Sequence, residues 1–149
     1  MNTVELSDYR AQVLPEWIDY NGHMSEAYYV LAFGDATTAV MDQLGMDAAY
    51  REASGSSLYT VEAHVRYLLE ASLGQELRIR STIAGHGAKK LHLCHEMYRG
   101  EELIATEEVM TLHVDQSSSS TSPFPEDIAQ AIAGYSQHRP EWSGRAIAS

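Results

Sequence analysis

Residues 15–24 read Pro-Glu-Trp-Ile-Asp-Tyr-Asn-Gly-His-Met, and a helical pattern begins directly after them. A helix start presents unpaired N–H groups and the positive end of the helix dipole, which together seat an anionic oxygen such as the oxyanion of acyl transfer. Asp19, just upstream, is a carboxylate placed to activate water or to attack a carbonyl carbon. Asp and Asn before a helix also serve as turn formers and caps, so the loop alone leaves both roles open.

A long helix must present that loop. Residues 25–44 contain no proline, and Tyr29, Ala32, Phe33, Ala36, Val40 and Leu44 recur at helical spacing. Ser25 suits the N-cap and Gly45 the C-terminal stop. The other side carries Tyr28, Leu31, Gly34, Thr38 and Met41, so the helix is predicted to be buried around most of its circumference. After a polar loop at 51–57 the period changes to two. Tyr59, Val61, Ala63, Val65, Tyr67 and Leu69 are assigned to one face of a long strand, and Thr60, Glu62, His64 and Arg66 to the other.

Further strands are predicted at 77–83, 90–98 and 103–115, with a short one at 9–14 ahead of the helix. On the 103–115 strand Ile104, Met110, Leu112 and Val114 fall on one face. The Ser/Thr run at 116–122 reads as a flexible linker, and a C-terminal helix is expected at about 125–136. The class is α+β, a curved antiparallel sheet wrapped around one helix, because the helix needs cover on most sides and the strands on one.

The 149 residues correspond to a single domain, 1–149, with its core at about 8–115. A net charge of -11 opposes partners held through phosphates, so nucleic acid is not an expected partner. No apolar run spans a bilayer, and the start Met-Asn-Thr-Val-Glu lacks the pattern of a signal peptide, so no membrane association is expected. A single cysteine, Cys94, fits a reducing compartment, and a cytoplasmic location is expected. His92, Cys94 and His95 have the composition of a metal cluster, but alternation puts His95 on the opposite face from the other two, so no metal is expected.

Asp19-x-Asn21-Gly22-His23-Met24, followed by Tyr28-Tyr29 in a long helix, resembles the signature of the 4-hydroxybenzoyl-CoA thioesterase-like branch of the hotdog superfamily. The resemblance implies a sheet of five or six strands around a long central helix, and a homodimer, or a tetramer built from it, with the acyl-CoA site between subunits. It implies Asp19 as general base or nucleophile, Asn21 and His23 as its catalytic companions, and the amides of Gly22, His23 and Met24 as oxyanion donors. Many relatives have Asn-Asn where this chain has Ser25-Glu26. Lys89 and Lys90 resemble a basic hairpin that holds the phosphates of coenzyme A, which enters as part of the substrate, with no separate cofactor.

The stretches 17–24, 33–37 and 59–66 resemble more closely the thioesterases of bacterial carnitine breakdown, which hydrolyse betainyl-CoA. A quaternary ammonium is stabilised by aromatic faces and carboxylates. Trp17, Tyr20, Tyr28, Tyr59 and Tyr67 are candidate aromatic contacts, with Glu62 as the preferred carboxylate and Asp35 as another; Glu62 and His64 share a strand face and are expected to line the pocket from the partner subunit. The alternatives are hydrolysis of another short or aromatic acyl-CoA, a hydratase or dehydratase, and a non-hydrolytic acyl-CoA binder.

Overall fold

The computed structural model describes residues 4–147. Strand β1 (Tyr9–Gln12) leads through a 3-10 turn at Pro15–Trp17 to helix α1 (Glu26–Gln43) and a short helix α2 (Ala48–Ser54). Strands β2 (Ser56–Tyr67), β3 (Glu76–His86), β4 (Lys90–Arg99) and β5 (Glu102–Asp115) follow, then the two-residue β6 (Ser120–Thr121) and helix α3 (Glu126–Gly134). These strands pair antiparallel with one another, in the order β1-β3-β4-β5-β2, with β6 added to β5.

Helix α1 lays Tyr29, Ala32, Phe33, Ala36, Val40 and Met41 against the sheet, and Gly45, at φ 94°, ends it. Its core partners include Leu77, Ile79 and Met97 near its N-terminal half and Ile83, Leu93 and Val109 near its C-terminal half. The predicted all-round burial does not hold within one chain. Val30 and Leu31 remain 44% and 46% exposed, and Gly34 and Thr38 are exposed as well.

Strand β2 departs most from its predicted pattern. The register jumps between Thr60 and Glu62, so that Tyr59 faces Leu112, Glu62 faces Met110 and His64 faces Glu108. Val61 is the extra residue of a β-bulge, and one extra residue exchanges the faces of everything beyond it. Tyr59 therefore shares the outer face with Glu62 and His64, while Ala63 and Val65 turn to the helix side. Strand β2 ends the sheet, and residues 59–63 are exposed although most are apolar. On β5 the helix side carries Ala105, Glu107, Val109, Thr111 and His113, the alternation opposite to the apolar row Met110 and Leu112.

Two loop assignments are also corrected. Residues 48–54 form α2, because Asp47 caps it by accepting from the Tyr50 amide (2.9 Å) and Gly55, at φ 69°, closes it. The Ser/Thr run is an ordered hairpin turn, not a flexible linker. Asp115 accepts from the Ser117 amide (2.9 Å), and Ser120 and Thr121 return to pair with Asp115 and Val114. The C-terminal segment then crosses the outer face of the sheet. It bridges to Ile83 at Gln137, donates from the Trp142 indole to Glu96 (2.9 Å) and from the Gly144 amide to Glu108 (2.6 Å).

Candidate active site

The loop ahead of α1 is held by its own backbone. Ile18 bridges to Met24, Asp19 donates its amide to the His23 carbonyl (3.1 Å), and Gly22, at φ 81°, makes the turn and donates to the Asp19 carbonyl (2.9 Å). A positive φ of this kind favours glycine, so the Asn-Gly pair is part of why the loop folds here. Trp17 is buried and stacks on half-buried Tyr28 with ring centres 5.5 Å apart. Both rings support the loop from beneath.

One Asp19 carboxylate oxygen accepts from the Asn21 amide (2.8 Å); among the described residues no hydrogen bond engages the other. Asp19, Tyr20, Asn21 and His23 line one hollow, with Ser25 and Glu26 from the start of α1. Tyr20 is almost fully exposed at its rim. The His23 imidazole lies 3.3 Å from Glu70, which ties the loop to the chain leaving β2. Past Met24, Glu26 and Glu70 the hollow continues into a second one walled by Tyr29, Tyr67, Leu68 and Leu69. Tyr29 and Tyr67 meet edge to face at 5.2 Å, and the Tyr67 hydroxyl donates to the Glu26 carbonyl (3.4 Å). Burial raises both phenol pKa values, so both rings stay neutral.

The expected oxyanion donors are corrected in part. The Gly22 and Met24 amides already donate to the Asp19 and Ala71 carbonyls, the latter at 2.8 Å. Among the described residues, the amides of His23, Glu26 and Ala27 have no acceptor, as expected where a helix begins. Within one chain, Tyr59, Glu62 and His64 are not brought to this groove. Glu62 and His64 line a separate cavity on the outer face, and Tyr59 accepts from Gln116 (3.3 Å). Lys89 and Lys90 are exposed at the opposite end of ten-residue β4 from Arg99, about 30 Å along the strand from the groove's end of the sheet.

Sequence reasoning missed Glu26 and Glu70 as lining residues. Glu26 reads as an ordinary first-turn helix acid, and Glu70 has no local signal because only tertiary packing brings it to His23. It also missed a polar row beneath the helix. His95 is fully buried, bonded to Ser81 (2.7 Å) and Thr37 (2.8 Å), and burial lowers its pKa to about 4. Glu107, its register partner on β5, is pushed up to about 7 by burial. Cys94 is buried with its thiol pushed up to about 12, which makes it a poor nucleophile.

A curled antiparallel sheet on a long helix, with a carboxylate loop at the helix start, defines a hotdog protein of the thioester-hydrolysing kind. The chain belongs to the thioesterase-like superfamily, which it matches over residues 13–132. It is 38% identical to a betainyl-CoA thioesterase of Pseudomonas aeruginosa, over 95% of this chain and 94% of that one. It is 42% identical to an L-carnitine dehydrogenase/betainyl-CoA thioesterase of Ruegeria pomeroyi, covering 89% of this chain but 28% of that one. A hypothetical protein of Staphylococcus aureus solved in complex with CoA superposes with a TM-score of 0.91 at 30% identity, covering 100% of this chain and 98% of that one. No helix among the described residues is long and apolar enough to cross a membrane.

Proposed function

We propose that this chain hydrolyses betainyl-CoA to betaine and coenzyme A, with Asp19 as general base or nucleophile. The observation that carries the substrate is the charge of the groove. Asp19, Glu26 and Glu70 line it beside Tyr20, Tyr29 and Tyr67, and His23 is the one basic side chain among its lining residues. Carboxylates and aromatic faces suit a trimethylammonium group, which gives no conventional hydrogen bond. The unengaged oxygen of Asp19 faces the thioester carbon or a water beside it. The amides of Glu26 and Ala27 receive the developing oxyanion at the positive end of α1. His23, held by Glu70, orients the loop.

The proposal includes a homodimer formed through β2. That strand ends the sheet and, with the two residues that follow it, exposes Val61, Tyr67, Leu68 and Leu69, an edge that normally demands cover. Antiparallel pairing of β2 with its copy sets the first half of one strand beside the last half of the other. The partner subunit's Lys89 and Lys90 then approach the Tyr67 end of this chain's groove, where coenzyme A phosphates need cations. The location proposed is the cytoplasm, where acyl-CoA and a free cysteine are both compatible with the reducing conditions. Thiol release from a panel of acyl-CoAs tests the reading. Fastest release from betainyl-CoA is expected, and no release from any thioester overturns hydrolysis in favour of a binder or hydratase.

A further inference from the structure

The outer face of the sheet carries a second cluster, apart from the Asp19 groove of the same chain. Its rows are set by register: Glu62 on β2, Met110 on β5 and His92 on β4 form one row, and His64, Glu108 and Cys94 form the next. One donor atom each from His92, Cys94 and Glu108 lies within 4.8 Å of the other two. All three are half-buried or buried, and Glu62, His64, His92 and Glu108 line an open cavity of about 230 Å³ together with Met110, Gly144 and Arg145.

The surroundings already orient the donors. The Gly144 amide holds Glu108 Oε1 at 2.6 Å, which leaves Oε2 turned to His92 Nε2, also at 2.6 Å. A backbone or side-chain partner on the far oxygen of a carboxylate is the usual outer support of a ligand. Imidazole, carboxylate and the Cys94 thiol, whose proton leaves to solvent as the ion binds, together form a donor set suited to a borderline cation of the zinc type.

We propose that His92, Cys94 and Glu108, completed by His64 from β2, bind one divalent transition-metal ion on the outer face of the sheet. Ligand bonds of about 2.0–2.3 Å place tetrahedral donors roughly 3.3–3.8 Å apart, so the cluster has to contract modestly and the His92–Glu108 hydrogen bond has to open around the ion. His64 stands directly opposite Glu108 and lines the same cavity, so a turn of its ring toward the cluster supplies the fourth donor. The ion ties β2, β4 and β5 together and, through Glu108, fastens the C-terminal segment. Its place on the far face from Asp19 makes the role structural, independent of thioester hydrolysis.

Cobalt(II) is the probe. Titrated into the metal-free full chain, it is expected to bind at one ion per chain, giving the visible bands of four-coordinate cobalt and a near-ultraviolet thiolate band. Loss of an outer partner alone typically weakens a site 10–100-fold, so His92→Ala and Glu108→Gln are each expected to weaken binding by about 100-fold or more. Cys94→Ser is expected to remove the thiolate band, and His86→Ala, outside the cluster, to change nothing. Circular dichroism checks each fold. Absence of stoichiometric uptake by the wild-type chain overturns the site, as does full-strength binding in folded His92→Ala and Glu108→Gln. Should those two fail to fold, uptake of cobalt(II) by the wild-type chain without a near-ultraviolet thiolate band overturns it, because Cys94 is the chain's single thiol.

Discussion

Glu107 stands directly across the β4/β5 ladder from His95, on the face of the sheet that α1 covers. Burial acts on the two in opposite directions. His95 titrates at about 4 in the folded chain against an ordinary 6.5, so lowering the pH through that window charges it preferentially in the unfolded chain and costs stability. Glu107 titrates at about 7 against 4.5, so lowering the pH through its window protonates it preferentially in the folded chain and adds stability. The two largely offset each other where the windows overlap. Glu107→Gln is expected to expose a stability loss between pH 6.5 and 4, and His95→Gln a gain as pH falls from 7 to 4.5, each relative to wild type. Thermal melts across that range check both, and three superimposable profiles would count against the buried pair.

Asp19→Asn keeps the oxygen that accepts from the Asn21 amide, so the loop and the fold should survive. What it removes is the charged oxygen that no hydrogen bond engages among the described residues. Turnover of acyl-CoA is expected to fall by about a hundredfold or more, with the melting temperature nearly unchanged. Near-normal kcat in the purified variant would remove Asp19 from the mechanism.

Val61 is the bulge residue of β2 and is 55% exposed on the free edge of the sheet. If that edge pairs with a second copy, Val61→Lys places two like charges near the two-fold axis, where they meet at close range in a poorly hydrated interface. Light scattering at micromolar concentration is expected to show a dimer for wild type and a monomer for the variant, with activity lost alongside. A dimer unaffected by the substitution would move the interface elsewhere.

The helix and the loop before it were legible because their signals are local. Tyr29 to Leu44 repeat at the helical period, and Asp19 to Met24 combine a turn-forming Asn-Gly with a helix start. The faces of β2 were not legible, because a bulge at Val61 is decided by how β2 fits β5 and leaves no mark in the alternation. Glu62 and Tyr59 were consequently placed wrongly with respect to each other. The Ser/Thr run was misread for a related reason. Its composition is that of a linker, but Asp115 and the Ser117 amide turn it into a hairpin through a hydrogen bond that composition does not encode. Glu70 came to the site only through the folded path of the chain after β2.

Specificity tests the charge of the groove most directly. Glu62, on the outer face, cannot meet the acyl group of a substrate bound beside Asp19 of the same chain, whereas Glu26 lies where the two hollows join. Each desolvated contact between a cation and an aromatic face contributes about 1–2 kcal/mol, and Tyr29 and Tyr67 offer two. Discrimination between betainyl-CoA and its uncharged carbon analogue, 3,3-dimethylbutyryl-CoA, is therefore expected at about tenfold to a thousandfold in kcat/KM. Glu26→Gln should narrow that ratio by lowering kcat/KM for the charged substrate alone, because the neutral analogue has no charge to lose. Glu62→Gln should leave the ratio as it is. Equal kcat/KM values for the two substrates in the wild-type enzyme would leave the hydrolase intact and remove the cationic pocket. A ratio that falls with Glu62→Gln and not with Glu26→Gln would place the acyl group across the subunit interface, against the outer face of the partner.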